Sequence, residues 1–481
     1  MRILFVASEG LPFSKTGGLA DVIDGLPKAL VKQGHEVAVV LPRYRGTKAT
    51  AIVMPSMTIP MGKQLRFPAI ADGTVLQDVR YFFVDDPAYF DREGLYGGSA
   101  GDYPDNAARF SEFSRAAIEI AKHIWLPDVI HCHDWQTGLV PVLLRSAYAD
   151  DPLLRKIPVV FTIHNVGYHG QFPKEILESA GIPQSVFHPD GLEFYGSVNF
   201  LKGGLRYSDY LTTVSKKYAQ EIQTPEFGYG LDGVIRSRKD RLIGILNGVD
   251  YAAWNPEKDS LIAVKYSAKD LAGKQLCKQA LLDLYGLPAD NAARPAIGIV
   301  SRFADQKGFD LIAEKAHELM HEDLVLTVLG TGDRRYEEMF QALAKAYPSR
   351  VGVKIAYDNK IAHAVEAGAD MFLMPSRYEP CGLNQIYSLK YGTVPIVRAT
   401  GGLDDTIEPF DLEHGTGTGF KFAEYSGAAL LKCVQQALHH YVDVRIWKRI
   451  QLNGMAKDFS WKAPAAEYGK LYEAARALYN T

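Results

Sequence analysis

At 481 residues, with 47% hydrophobic and 23% charged side chains, the chain has a globular balance and is too long for one core, so two or three domains are expected. A formal net charge of −3 gives no electrostatic footing for nucleic acid or for an anionic membrane surface. Cys132, Cys277, Cys381 and Cys433 are scattered, with no C-x-x-C pair. That usage points to a reducing compartment, and no apolar run is long enough to span a membrane. The opening MRILFVASEG reads as a first strand rather than a signal peptide, so the expected location is cytoplasmic.

Residues 2–8 form an expected strand, 9–18 a loop and 19–33 a helix closed by Gly34, with a second strand at 37–41. Such a βαβ unit implies parallel strands and a right-handed crossover. Pro27, inside the helical pattern, is expected to kink or break it. Short strands follow at 51–54 and 80–84, then a long surface loop at 87–106 and a helix at 107–123. The strand at 129–132 ends in His131-Cys132-His133-Asp134-Trp135, and the strand at 159–163 ends in His164-Asn165, with a helix at 138–148 between them. Residues 166–200 read as irregular. They lead to a helix at 201–207, a strand at 210–214, a helix at 216–221 and a strand at 242–246.

The turn-rich stretch 247–256 marks the domain junction, and 258–286 reads as charged and mostly helical. From 295 onward, strands at 296–300, 324–329, 351–356, 371–374 and 394–397 alternate with helices at 309–320, 334–346, 360–367 and 383–391. The class is therefore α/β: two doubly wound Rossmann-like domains facing a central cleft, with ligands at the carboxyl ends of the strands. Helices are expected at 428–442 and 463–479. The last carries Tyr468, Leu471, Tyr472, Ala475 and Leu478 on one face and is expected to pack back on the first domain. The expected boundaries are 1–246, 247–459 and 460–481.

The stretch 375–406 concentrates the chemistry. Two strand ends each feed a helix start, at Cys381-Gly382-Leu383-Asn384 and at Thr400-Gly401-Gly402-Leu403, with Glu379 just before the first. Helix N-termini suit an anion such as phosphate. Lys15-Thr16-Gly17-Gly18-Leu19-Ala20-Asp21 echoes the second of these near the amino terminus. It is neither a dinucleotide fingerprint nor a P-loop. Arg302 and Lys307, five residues apart after another strand, are a fork and a point charge suited to a diphosphate; the alternative is two solvated cations. His131 and His133 share a strand face, but no second ligand cluster has metal spacing, so no metal is expected. His164 lies at a strand edge, where substrate contact competes with a structural role. Glu379 admits a helix-capping reading, and Cys381 reads as small packing.

The ordered set SKTGGLADV, HCHDWQTG, FTIHNVGYHGQF, SRFADQKGFDL and PSRYEPCGLNQ through YGTVPIVRATGGLDDT resembles bacterial glycogen synthases and plant starch synthases over essentially the whole chain. The resemblance implies the GT-B fold. It also implies retaining transfer of glucose from ADP-glucose to the non-reducing-end 4-hydroxyl of an α-1,4-glucan, whether glycogen, starch or a maltooligosaccharide. On this resemblance Lys15, Gly18 and Asp21 bind the donor, and Arg302 and Lys307 clamp the diphosphate. Glu379 holds the transferred glucose, backed by Cys381, Gly382, Leu383 and Asn384. His164 lies beside the anomeric centre, Asn247 contacts sugar at the hinge and Tyr357 stacks on adenine. Closure about the 247–256 junction is expected.

Cations and helix N-termini that stabilise a departing diphosphate make a metal unnecessary. Same-face attack, with the leaving phosphate oxygen taking the acceptor proton, is the expected route to retention. One position departs from the wider fold class: eight residues after Glu379, where many retaining relatives carry a second Glu, stands Tyr387. The competing readings are another nucleotide-sugar enzyme of the same fold, such as a small-acceptor transferase or an epimerase, and a non-catalytic glucan-binding protein.

Overall fold

Short apolar runs alternating with amphipathic helical stretches bury both strand faces only in a parallel sheet covered by helices. The computed structural model, which describes residues 1–49, 51–73, 75–98 and 101–479, adopts that solution twice. The chain divides into one unit of residues 1–248 with 461–481 and a second of residues 249–460.

In the first unit the described residues form a nine-stranded sheet in the order Leu242–Gly244, Tyr210–Thr213, Val159–Ile163, Val129–His133, Arg2–Val6, Glu36–Pro42, Val79–Asp85, Ala69–Asp72 and Ala51–Met54. Every pairing as far as Val79–Asp85 is parallel, and the last two strands add antiparallel. Helix Gly18–Val31 buries Val22, Ile23, Leu26 and Leu30 against this sheet. It does not end at Pro27, whose ring lies on the buried face, so packing outweighs one lost hydrogen bond. The final helix, Lys462–Ala477, adds Ala465, Tyr468, Leu471, Tyr472 and Ala475 to the same core.

The second unit holds a parallel six-stranded sheet, in the order Val351–Ile355, Val325–Gly332, Ala296–Phe303, Met371–Met374, Val394–Arg398 and Phe420–Phe422. Its core centres on Ile297, Ile299, Leu326, Val328, Leu373 and Ile396.

Several expectations are corrected. Helix is confined to Ala272–Tyr285 within 258–286, because side chains of Asn255, Asp259 and Asp270 accept from backbone N–H groups two residues on and hold turns. The helix expected at 309–320 is two, Phe309–Glu314 and Ala316–His321. The loop at 87–106 contains helix Pro87–Phe90 and a pairing of Gly97–Gly98 with Gly101–Asp102, and 166–200 contains a small antiparallel sheet. Among the described residues, no helix is long and apolar enough to cross a membrane.

Candidate active site

In the second unit, Ala296–Phe303 and Met371–Met374 are adjacent parallel strands, so the loops that follow them emerge side by side. Gly308 allows the two loops to touch. Its φ is +72°, and a Cβ there would lie 2.0 Å from the Pro375 carbonyl oxygen. The backbone N–H of Arg377 donates to the Gln306 carbonyl at 2.8 Å, and the Gln306 amide donates to the Tyr378 carbonyl at 3.3 Å. This zipper brings Lys307 Nζ to 2.7 Å from Glu379 Oε2, which also accepts from the Ser376 hydroxyl at 3.0 Å. Glu379 is 5% exposed, so its charge is held by a fixed cation and a fixed hydroxyl. Arg302 stands near the end of the first of these strands.

Helix Asn384–Tyr391 is tied to the same strand by the Asn384 amide, which donates to the Val300 carbonyl at 2.8 Å. The Gln385 amide donates to the carbonyls of Cys381 and Gly382, both at 3.0 Å, and fixes the turn ahead of the helix. Cys381 is buried in that turn, and Tyr357, after strand Val351–Ile355, is 80% exposed.

The two T-G-G-L segments serve different purposes. A Cβ on Gly401 would stand 1.9 Å from the Glu379 carbonyl oxygen, and one on Gly402 would stand 2.0 Å from that of Cys381. The N–H of Gly402 donates to the Glu379 carbonyl at 3.0 Å. This pair supports the Glu379 loop from beneath, and the Gly402 N–H is already used. Gly17 is the opposite case. Its φ of −152° is open to any residue, and a Cβ would find its nearest neighbour, Glu9 Oε1, at 3.8 Å.

In the first unit, Lys15 Nζ pairs with Asp21 Oδ1 at 2.7 Å, and Gly18 begins the helix that carries Asp21. Burial raises the Asp21 carboxyl above its ordinary range. His131, His133 and His164 form a chain across two strand ends. His131 Nε2 meets the Thr162 hydroxyl at 2.6 Å and its Nδ1 meets the Tyr472 hydroxyl at 2.8 Å, so both its ring nitrogens serve the fold. His133 Nδ1 lies 2.9 Å from His164 Nε2. Burial depresses His164 to about 3, which keeps the ring neutral. Asn247 is buried, and its Oδ1 has no hydrogen-bond partner among the described residues.

Sequence reasoning missed Glu9 and Asp134. Asp134 sits at φ 57° and accepts the His164 N–H at 2.7 Å. Glu9 lies beneath Thr16, whose N–H and hydroxyl both donate to it. Burial raises each carboxyl to about 7. Acidic residues placed directly after strands were the available signal.

Residues 2–237 match the family model described as the starch synthase catalytic domain, and residues 289–449 match glycosyl transferases group 1. A glycogen synthase of Koribacter versatilis is 55% identical over 480 residues, 99% of both chains. The chain belongs to the glycogen synthase family. The glycogen synthase of Myxococcus xanthus is 48% identical, covering 98% of this chain and 99% of its own. The catalytic domain of starch synthase IV from Arabidopsis thaliana, solved with ADP and acarbose, superposes with a TM-score of 0.91 at 33% identity, covering 99% of each chain. Sucrose-phosphate synthase of Thermosynechococcus elongatus, at 19% identity and a TM-score of 0.62 with 99% of each chain covered, shares the fold. This glycogen synthase family member is thus a GT-B glycosyltransferase of glycogen or starch synthesis. Its Tyr387 is buried and stacks on Trp254 at 4.0 Å, and Trp254 in turn stacks on His363 at 3.7 Å.

Proposed function

We propose that the donor is ADP-glucose, and that glucose passes to the non-reducing-end 4-hydroxyl of an α-1,4-glucan (glycogen, starch or a maltooligosaccharide) with retention. The observation that carries this reading is the Lys307–Glu379 pair, held by two zipped strand-end loops on the strand that also bears Arg302. Glu379 spends one oxygen, Oε2, on both Lys307 and Ser376, and we assign Oε1 to hydroxyls of the transferred glucose. Arg302 and Lys307 meet the diphosphate. Each well-placed donor contributes ~3–4 kcal/mol to the charge that develops there, so the reading needs no metal. Tyr357 offers a ring for adenine, and the starch synthase IV relative was solved with ADP. Lys15, Gly18, Asp21, Asn247, His164 and the backbone of 381–384 are assigned to substrate binding.

In the reaction, the bond between glucose C1 and the diphosphate oxygen breaks, and the oxygen keeps the electron pair. The acceptor 4-hydroxyl attacks C1 from the same face, and its proton goes to the departing phosphate oxygen. His164, neutral at working pH, orients hydroxyls and does not supply a proton. Four free, buried cysteines support a cytoplasmic setting.

Kinetics with glycogen test the reading. The expected outcome is chain growth from ADP-glucose at a kcat/KM at least about tenfold above that from UDP-glucose. Lys307→Ala is expected to lower kcat by roughly 10²–10³. Equal use of both donors, or a Lys307→Ala effect confined to KM, contradicts it.

A further inference from the structure

Strand Arg2–Val6 delivers Glu9 to its carboxyl end, directly beneath the turn 15–18. Glu9 is 3% exposed. A single oxygen, Oε2, accepts from both donors of Thr16: the backbone N–H, and the hydroxyl at 2.9 Å. Clamped at N–H and hydroxyl together, Thr16 is held through both main chain and side chain. Its neighbours on either side are the residues of interest. Lys15 is paired with Asp21, and Gly17 is in an extended conformation that nothing inside the protein requires to be glycine. Gly17 caps the following helix with no side-chain hydrogen bond, so the cap cannot set the turn. A turn containing two glycines loses about 1–2 kcal/mol of backbone entropy per residue when fixed, and a clamp that fixes it beforehand removes that cost from ligand binding.

The titratable groups around Glu9 come from four neighbouring segments: Lys15 and Asp21 from the turn and its helix, Tyr44 after strand Glu36–Pro42, Tyr96 after helix Pro87–Phe90, and Asp134 after strand Val129–His133. Lys15 is the one cation among them, and it is held by Asp21. Among the described residues, Glu9 therefore has no counter-ion of its own, and its hydrogen bonds come from the Thr16 donors. A buried carboxyl committed in this way to one loop residue is a brace rather than half of an ion pair.

We propose that Glu9 is a positioning residue: through Thr16 it holds the Lys15-Thr16-Gly17-Gly18 turn in the conformation that presents Lys15 and the Gly17 backbone to the sugar nucleotide. The proposal rests on the reading that this turn meets the donor. It touches no reacting atom, so its signature is donor affinity rather than the chemical step.

Two measurements on the full-length enzyme test it. Hydrogen exchange of a peptide spanning 13–20 in the free protein reads the brace itself. Steady-state kinetics with ADP-glucose and glycogen read its consequence. Glu9→Ala is expected to speed exchange at Thr16 and Gly17 and to raise the ADP-glucose KM roughly ten- to hundredfold, with kcat and the glycogen KM changed by less than about threefold. Glu9→Gln keeps an acceptor oxygen in place and is expected to recover most of that loss. Thr16→Val removes only the hydroxyl contact and falls between. Unchanged exchange in Glu9→Ala overturns the proposal, and so does faster exchange with an unchanged ADP-glucose KM. A fall in thermal stability with the KM unmoved assigns Glu9 to the fold alone and overturns it as well. If the wild-type enzyme consumes no ADP-glucose, the donor reading fails, and the exchange result decides the brace on its own.

Discussion

Asp134 holds its backbone at φ 57° and ψ −178°, a region that is otherwise almost entirely glycine's. In return its carboxylate takes the backbone N–H of His164 and so joins two strand ends. Burial raises this carboxyl from 3.8 to about 7. The folded protein thus binds a proton that the unfolded chain has already released over that window. Asp134's contribution to stability is therefore greatest at the acid end, falls as pH rises from about 4 to about 7, and is level above that. Asp134→Asn leaves the steric strain of this backbone unchanged and does not titrate. The difference in unfolding free energy between variant and wild type is expected to move by roughly 4 kcal/mol in the variant's favour between the two ends of the window. Denaturant unfolding of both proteins across that range checks it, and parallel curves contradict it. Glu9, also raised to about 7 by burial, adds a slope of the same sign to both proteins.

The two T-G-G-L segments look alike as strings and differ as elements. Around Gly401 and Gly402 the neighbouring carbonyls leave no space for a Cβ, whereas around Gly17 the protein interior does. Gly402→Ala is expected to destabilise the protein by about 3 kcal/mol or more, because the displaced atoms are backbone. Gly17→Ala is expected to leave stability within about 0.5 kcal/mol and to raise the KM for the donor. Melting temperatures and donor KM values for the pair separate the two roles; equal stability losses contradict the distinction. The sequence shows where each segment lies, after a strand and before a helix, because apolar runs and turn residues are local signals. It does not show which glycine is crowded, since the crowding atoms belong to other loops.

The same limit governs the site. Arg302, Lys307 and Glu379 were legible one by one from their positions after strands. The Lys307–Glu379 contact, 72 residues apart, depends on which two strands are neighbours. The turns at 258–271 were misread as helix because charged residues favour helix on composition, while Asp259 and Asp270 cap the backbone locally.

At the scale of the whole molecule, the chain folds as two parallel-sheet units and ends by returning to the first. Tyr472 on the final helix meets His131 Nδ1 at 2.8 Å, and Tyr468 and Leu471 enter a core shared with Phe5, Val39 and Leu26. The first unit is therefore built from both ends of the sequence, and matches to glycogen synthases extend over 99% of the chain. The family match is therefore to the entire protein rather than to one segment. The direct measurement is extension of a short maltooligosaccharide with ADP-glucose, following nucleotide release together with product length and linkage. The expected result is one ADP released per glucose added, with a ladder of longer oligomers that an exo-acting α-1,4-specific amylase digests from the non-reducing end. Release of ADP with free glucose and no ladder, or a ladder resistant to that amylase, contradicts the account.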